Sequence, residues 1–411
     1  MRVLVLTACL SSLFINSAFA QDPGRPLTLQ AAITEALARN PELIALGLEQ
    51  DSVRASVARE RFLMPPMLEA QVWGWPVTTL NPARTEMYML MAEQQLPGRG
   101  KRAARTLVAE RDADMSRQQI AVRANQILSE LRQVFIDLAY TRATFDLYSR
   151  QALLLEDVAE TATLRYASGE GPQQHTVVAL VEIASLQKAR IAAEESAQAA
   201  EARLNTLLGR LPTQPVEPLA PIAPTVSPDE AERLALARHP GIGMVTVTVA
   251  REQAELERVR AEQRPDYVLG GGYMLRPGQA GAWTARAGIT WPNAPWSRGG
   301  VTAAIDAQAK RVEAAQARGA VIAARLRQDV REAAVRLDAA ERQVRLIEST
   351  VLPQIERAFE LARFSYGTGE GLFTDMLDAR RMLLATQLEH VEAQASVARA
   401  RAELETVAGV L

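Results

Sequence analysis

Three methionines, Met87, Met89 and Met91, recur at every second position in the stretch Thr85 to Gln95. Alternation by two places all three thioethers on one face of an extended strand. Thioethers are soft ligands that suit copper(I) or silver(I). Methionine is also a routine packing residue, so the stripe reads as a packed face too. Other residue types that do chemistry are sparse. The histidines are His175, His239 and His390, in different segments and without a cysteine or second histidine at metal-ligand spacing. No metal set or cofactor site is read from them, and His239, which matches Asn40 in the repeat described below, reads as a helix-turn residue. GxSxG, P-loop and HExxH motifs are absent. Gly270-Gly271-Gly272 falls inside a predicted strand instead of opening a helix, so close barrel packing explains it better than phosphate binding. The chain reads as no enzyme, and a formal net charge of −2 argues against a nucleic-acid partner.

The elements that must position these residues come in two copies. ALARNP at Ala36 to Pro41 returns as ALARHP at Ala235 to Pro240, and YASGEG at Tyr166 to Gly171 returns as YGTGEG at Tyr366 to Gly371. An offset of about 200 residues is too long for a solenoid repeat, so it describes two copies of a whole substructure in one fold. The first repeat covers 21–210 and the second 229–411. A linker over 211–228, with Pro212, Pro215, Pro218, Pro221, Pro224 and Pro228, reads as an extended strap. Residues 1–20 read as an export signal: Arg2, an apolar run from Val3 to Ile15, then Ala18-Phe19-Ala20 before Gln21. Leu6-Thr7-Ala8-Cys9 also fits a lipoprotein box, but cleavage there leaves too short an apolar core. If Cys9 leaves with the signal, neither disulfide nor thiolate chemistry is available.

Each repeat has one order of elements. A first helix is predicted over Thr28 to Met64 and over Ser227 to Arg264, with Thr28 and Ser227 as N-caps and Pro65 and Pro265 as stops. A β-hairpin follows, Met67–Trp75 with Thr85–Gln95 in one copy and Asp266–Leu275 with Trp283–Trp291 in the other. Long helices then run from about Gly100 to Ala167 and from about Gly299 to Ser365. Such a helix spans roughly 100 Å at 1.5 Å per residue. The second carries a 4-3 seam of small and apolar residues from Val301 to Val351 with one stutter at Val330, the mark of a coiled coil. Return helices, Pro172 to Leu208 and Gly371 to Val410, run back across the YxxGEG turns.

No run of about 20 apolar residues follows the signal, whereas strands of about ten residues can span a membrane in a barrel. In Trp283 to Trp291 the odd positions suit lipid, with tryptophan at both ends, leaving Thr284, Arg286, Gly288 and Thr290 for the lumen. Transferred through the repeat, that parity makes Met87, Met89 and Met91 lumen candidates beside Arg286. Two hairpins leave open edges that lipid cannot satisfy. The expected fold is therefore mainly α with a membrane β-barrel portion, shared within a homo-oligomeric tube. An exported coiled-coil scaffold without a pore is the alternative.

At this point the chain resembles the TolC-type outer-membrane efflux factors. The resemblance rests on the duplicated ALARNP/ALARHP opener and on Tyr-x-x-Gly followed by an apolar pair and alanine: Tyr166, Gly169, Val177-Val178 and Ala179, then Tyr366, Gly369, Met376-Leu377, Asp378 and Ala379. QQLPGRGKR, Gln94 to Arg102, looks like a segment of members paired with heavy-metal pumps. The resemblance implies a homotrimer in the outer membrane, a periplasmic adaptor protein and an RND-type inner-membrane pump of the heavy-metal kind, and the methionine stripe adds copper or silver as the candidate cargo. It also implies that Tyr166, Gly169, Tyr366, Gly369, Asp375 and Asp378 lie at the periplasmic tip. Tyr366, Asp375 and Asp378 match the gate region, and Gly371 stands where a basic partner can occur in the family. Helix N-terminal charge alone also accounts for the two aspartates. Three copies of each would make an acidic, cation-attracting constriction.

Overall fold

The computed structural model describes residues 26–78, 81, 84–217, 219–220 and 227–409. The export signal, Cys9 and the linker prolines Pro218, Pro221 and Pro224 lie outside the described residues.

The first helix of each copy is two helices. In place of one helix from Thr28, α1 (Leu29–Arg39) stops at Asn40 and α2 (Pro41–Glu60) starts anew. In copy two, α5 (Pro228–Arg238) stops at His239 and α6 (Pro240–Ala261) follows. Proline has no N–H to continue a helix and drives the residue before it out of the helical region; Asn40 and His239 accordingly have ψ of 122° and 129°. Both then cap the new helix. Asn40 Oδ1 accepts from the N–H groups of Glu42 (3.0 Å) and Leu43 (3.2 Å), and His239 Nδ1 accepts from Gly241 N–H at 3.0 Å. Thr28 and Ser227 cap α1 and α5.

The His239 cap works only while Nδ1 keeps its lone pair. Burial holds its pKa below the usual histidine value, so the unfolded chain binds the extra proton more readily. The cap's contribution is present at neutral pH and is lost as pH falls through the depressed folded value. His239→Asn, which reproduces the Asn40 cap, is expected to hold neutral-pH stability and weaken the loss on acidification. His239→Ala is expected to cost about 1 kcal/mol; thermal unfolding between pH 5 and 8 reads both.

The long helices match their predicted extents. α3 runs Lys101–Ala167, and its antiparallel partner α4 runs Gln173–Leu208. In copy two, α7 (Arg298–Leu346) passes through a π-turn at Ile347–Val351 into α8 (Leu352–Thr368), and α9 (Phe373–Val407) returns. The widened turn sits just before Pro353, whose missing N–H removes one rung of the ladder. Along α7 and the π-turn the buried residues are Gln308, Ala315, Leu326, Val330, Ala333, Leu337 and Ile347. All seven belong to the predicted 4-3 seam, including Val330 at the stutter. A side chain at Gly319 would meet Val245 Cγ1 at 2.9 Å, so glycine sets the close approach of α7 to α6. The two copies meet where α3 packs on α6 and α9. There Arg132, buried, pairs with Glu405 at 3.5 Å. The described linker residues lie back on copy one: Val216 is buried in its core, and Ala220 N–H donates to Leu27 O at 2.9 Å.

The hairpins join into one antiparallel sheet, β1 (Met67–Trp73), β2 (Met87–Leu96), β3 (Tyr267–Leu275) and β4 (Ala282–Ile289), in the order β1-β2-β3-β4. Where β2 gives way to α3, Lys101 is 2% exposed and reaches Asp266 at 2.8 Å and Glu262 at 2.9 Å. Asp266 also accepts from Gly98 N–H at 2.8 Å. The segment around Pro97-Gly98 is thus tied across the repeat at the junction of sheet and helices.

Candidate gate and channel surfaces

The two YxxG turns are built alike. Gly169 and Gly369 take φ of 79° and 86°, the left-handed cap that glycine adopts freely, and each donates its N–H back to the tyrosine carbonyl of its own turn. The tyrosines differ. Tyr166 is 48% exposed, while Tyr366 is 3% exposed.

Tyr366 is buried because the two tips of one protomer interlock. His175 from α4 stacks on Phe373 from α9, with ring centroids 4.5 Å apart and planes 12° from parallel. Tyr366 lies 5.4 Å from Phe373 and 5.9 Å from His175, and its hydroxyl is 3.3 Å from His175 Nδ1. The Arg165 guanidinium sits 5.1 Å from the Tyr366 ring centroid and donates to the Tyr366 carbonyl. Burial and the Arg165 charge together hold the His175 pKa below its usual value, so the ring in this stack is neutral at pH 7.

Arg165, from copy one, brings a basic group to Tyr366, and a Cβ on Gly371 would meet Ser365 Oγ at 2.7 Å and Ser365 Cβ at 2.9 Å. Nothing in the linear motif pointed to Arg165 or to the stacking of His175. A second bridge lies one turn further along. Glu182 of α4 takes Arg380 at 2.8 Å and also binds Arg381, which reaches Asp378 at 3.2 Å. Arg380 is buried, and its Nε and Nη1 have no hydrogen-bond partner among the described residues. Asp378 is therefore committed to an ion pair, while Asp375 stands exposed in the first turn of α9. The structure brings Tyr366 and Asp378 to one tip with copy-one residues, and leaves Tyr166 and Asp375 facing outward.

The sheet has two unlike faces. Paired residues share a face, and the register Tyr273↔Trp283, Leu269↔Ala287, Tyr267↔Ile289, Leu90↔Tyr273 and Val72↔Tyr88 gathers most of the exposed apolar and aromatic side chains on one side, while Trp73, opposite Met87, and Met67, opposite Glu93, stand on the other. Trp283 is 83% and Ile289 64% exposed. From Trp283 to Ile289, the end of β4, is six steps, about 20 Å at 3.4 Å each, and Trp291 follows two residues beyond the strand. On the other face, Met87, Met89 and Met91 stand with Arg286, whose Nη1 is 3.2 Å from Glu93 across Gly270. Met274, opposite Met89, joins that face; strand parity applied to β3 would have found it. The glycine triplet is explained by space: a Cβ on Gly272 would lie 2.5 Å from Leu90 O and 2.9 Å from Met91 Cγ. Among the described residues no helix is long and apolar enough to cross a membrane, and no group of three His, Cys, Asp or Glu could hold a metal ion.

Comparison with known proteins places this architecture. Residues 233–410 match the family described as outer membrane efflux protein. Over 395 residues the chain is 24% identical to the cobalt-zinc-cadmium resistance protein CzcC of Cupriavidus metallidurans, covering 95% of this chain and 92% of that one. The outer membrane protein VceC of Vibrio cholerae superposes with a TM-score of 0.74 at 17% identity, over 93% of this chain and 96% of that one. CusC gives a TM-score of 0.74 at 17% identity over 95% of both chains. The duplicated helix-and-hairpin unit is thus the fold of solved outer-membrane channels.

Proposed function

On the premise that the chain belongs to the outer membrane efflux protein family, we propose that it is the outer-membrane duct of a tripartite efflux system that exports heavy-metal cations. It sits in the outer membrane with its helical tunnel in the periplasm, and it is not an enzyme. The observation that carries the duct reading is the four-stranded sheet with one aromatic-ended apolar face and unpaired outer edges at β1 and β4, set on helices roughly 100 Å long. Only neighbouring copies can pair those edges inside lipid. A homotrimer gives a closed barrel of about twelve strands, within the range of outer-membrane barrels.

The channel does no chemistry of its own, so its energy comes from an inner-membrane pump of the RND type, reached through a periplasmic adaptor at the tips. The name of CzcC supports a metal cargo, as does the exposed Asp375 carried to the tip on α9. A pore-free scaffold has no use for the tryptophan-bounded face. Planar-bilayer recording of the purified protein tests the duct: discrete channels are expected, and their absence even after the tip is loosened would overturn it. Deletion followed by growth on cobalt, zinc, cadmium, copper and silver tests the cargo, and unchanged tolerance to all five would remove the metal reading.

A further inference from the structure

The lumen of a barrel is ordinarily polar, and the lipid face of this sheet is already supplied with leucine, tyrosine, tryptophan and isoleucine. Five methionines on the opposite face, Met67, Met87, Met89, Met91 and Met274, therefore break the pattern. Met89 and Met274 are direct cross-strand partners, and Met87 and Met91 flank Met89 at two-residue spacing on the same side. Directly paired Cβ atoms lie about 5 Å apart, and strand neighbours two residues apart lie about 7 Å apart. Unbranched thioether arms span such gaps easily. Gly272, buried beside Met91, leaves the space that the Met91 side chain occupies over β3.

We propose that Met89 and Met274, with Met87 or Met91 supplying a third sulfur, form a thioether site for a soft monovalent cation of the silver(I) or copper(I) class. The site lies near the outer mouth of the barrel: Met87 and Met274 adjoin the two hairpin turns, at the end of the sheet away from the helices. Neutral sulfur ligands suit a soft ion of low charge and leave a hard or doubly charged one poorly solvated. Charges of both signs flank the stripe, and Arg276 follows Met274 by two residues. Glu69, opposite Met91 and hydrogen-bonded to Gln71, supplies one carboxylate. Arg286 is paired with Glu93 one rung further in. A trimer would carry three such sites around one mouth, giving cations that leave the duct a final weak binding step. This site deepens the metal-duct reading and rests on it for its role in export.

The test uses the full-length protein, purified as its native oligomer, labelled with methyl-13C methionine and titrated with silver nitrate in chloride-free buffer. Saturable shifts in the methyl signals of Met89, Met274 and at least one of Met87 and Met91 are expected, with the exposed Met64 and Met382 as internal references and magnesium as the hard-ion control. The volume-conserving double variant Met89→Leu/Met274→Leu is expected to bind silver at least about tenfold more weakly, about 1.4 kcal/mol, while still running as the heat-modifiable oligomer. Equal shifts at Met64 and Met382, or unchanged affinity in a correctly assembled double variant, would overturn the site. If that variant fails to assemble, Met89→Leu and Met274→Leu singly take its place with the same criterion. Bilayer conductance of the unmodified protein separates the two readings: a silver site in a non-conducting protein would sink the duct and leave the site standing.

Discussion

Tyr366→Ala is expected to loosen the periplasmic tip and raise the open probability of the channel in planar bilayers. The ring is buried at 3% exposure between Phe373, His175 and Arg165, and truncating a buried aromatic ordinarily costs about 3–5 kcal/mol. Near the end of a hairpin the cavity collapses in part, so about 3 kcal/mol is the appropriate scale. Since 1.4 kcal/mol is tenfold, that loss moves the ratio of interlocked to splayed tips by about two orders of magnitude. The cost stays local, because the tip is far from the packing of α1 and α5 on the long helices. Global unfolding should change little. Tyr366→Phe keeps the ring and loses only the hydroxyl's contact with His175, worth about 1 kcal/mol, so its channel should stay close to the parent. Equal open probability in Tyr366→Ala and the parent would remove Tyr366 from the gate.

Lys101→Met is expected to give the largest loss of global stability, with gating left near normal. The ammonium is almost wholly buried, and both of its carboxylates belong to the second repeat, so the contact staples the copies where sheet meets helices. Burial by itself would lower the Lys101 pKa and raise that of Asp266. The hydrogen bonds and charges they exchange, with Glu262 and the Gly98 N–H, reverse both: Lys101 is held above its usual value and Asp266 below. Removing one partner of a fully buried pair costs about 3–5 kcal/mol. Here Asp266 and Glu262 are 34% and 37% exposed and can return to water, which brings the figure to about 2 kcal/mol. The sign with pH follows. Asp266's share is present above about pH 4 and lost on acidification, and Lys101's is present below about pH 10 and lost in alkali. Heat-modifiability of the assembled protein across that range is the measurement. The variant should melt earlier at neutral pH, and its difference from the parent should shrink as acid protonates Asp266. An unchanged melting profile would refute the staple.

The repeat was legible because both copies keep their punctuation, Pro41 and Pro240, Gly169 and Gly369. These residues act through their own backbone and need no partner to be read. The same prolines break each first helix at Asn40 and His239, a break that depends only on the clash proline imposes on its predecessor. The seam from Val301 to Val351 was legible for a similar reason, since a 4-3 spacing fixes which side of a helix is apolar before any partner is known. The tip was not. Arg165 meets Tyr366 201 residues away in the chain, and His175 meets Phe373 across 198, so neither motif contained its own lock.

The sequence by itself determined the elements, their order and the two faces of each strand, because helix period, strand alternation and proline and glycine geometry act over a few residues. Tertiary structure alone decided which charges and rings meet: Arg165 with Tyr366, Lys101 with Asp266, Met274 with Met89. Those contacts depend on how two copies of one unit are set against each other, and that placement is fixed by packing over hundreds of residues that no local pattern encodes.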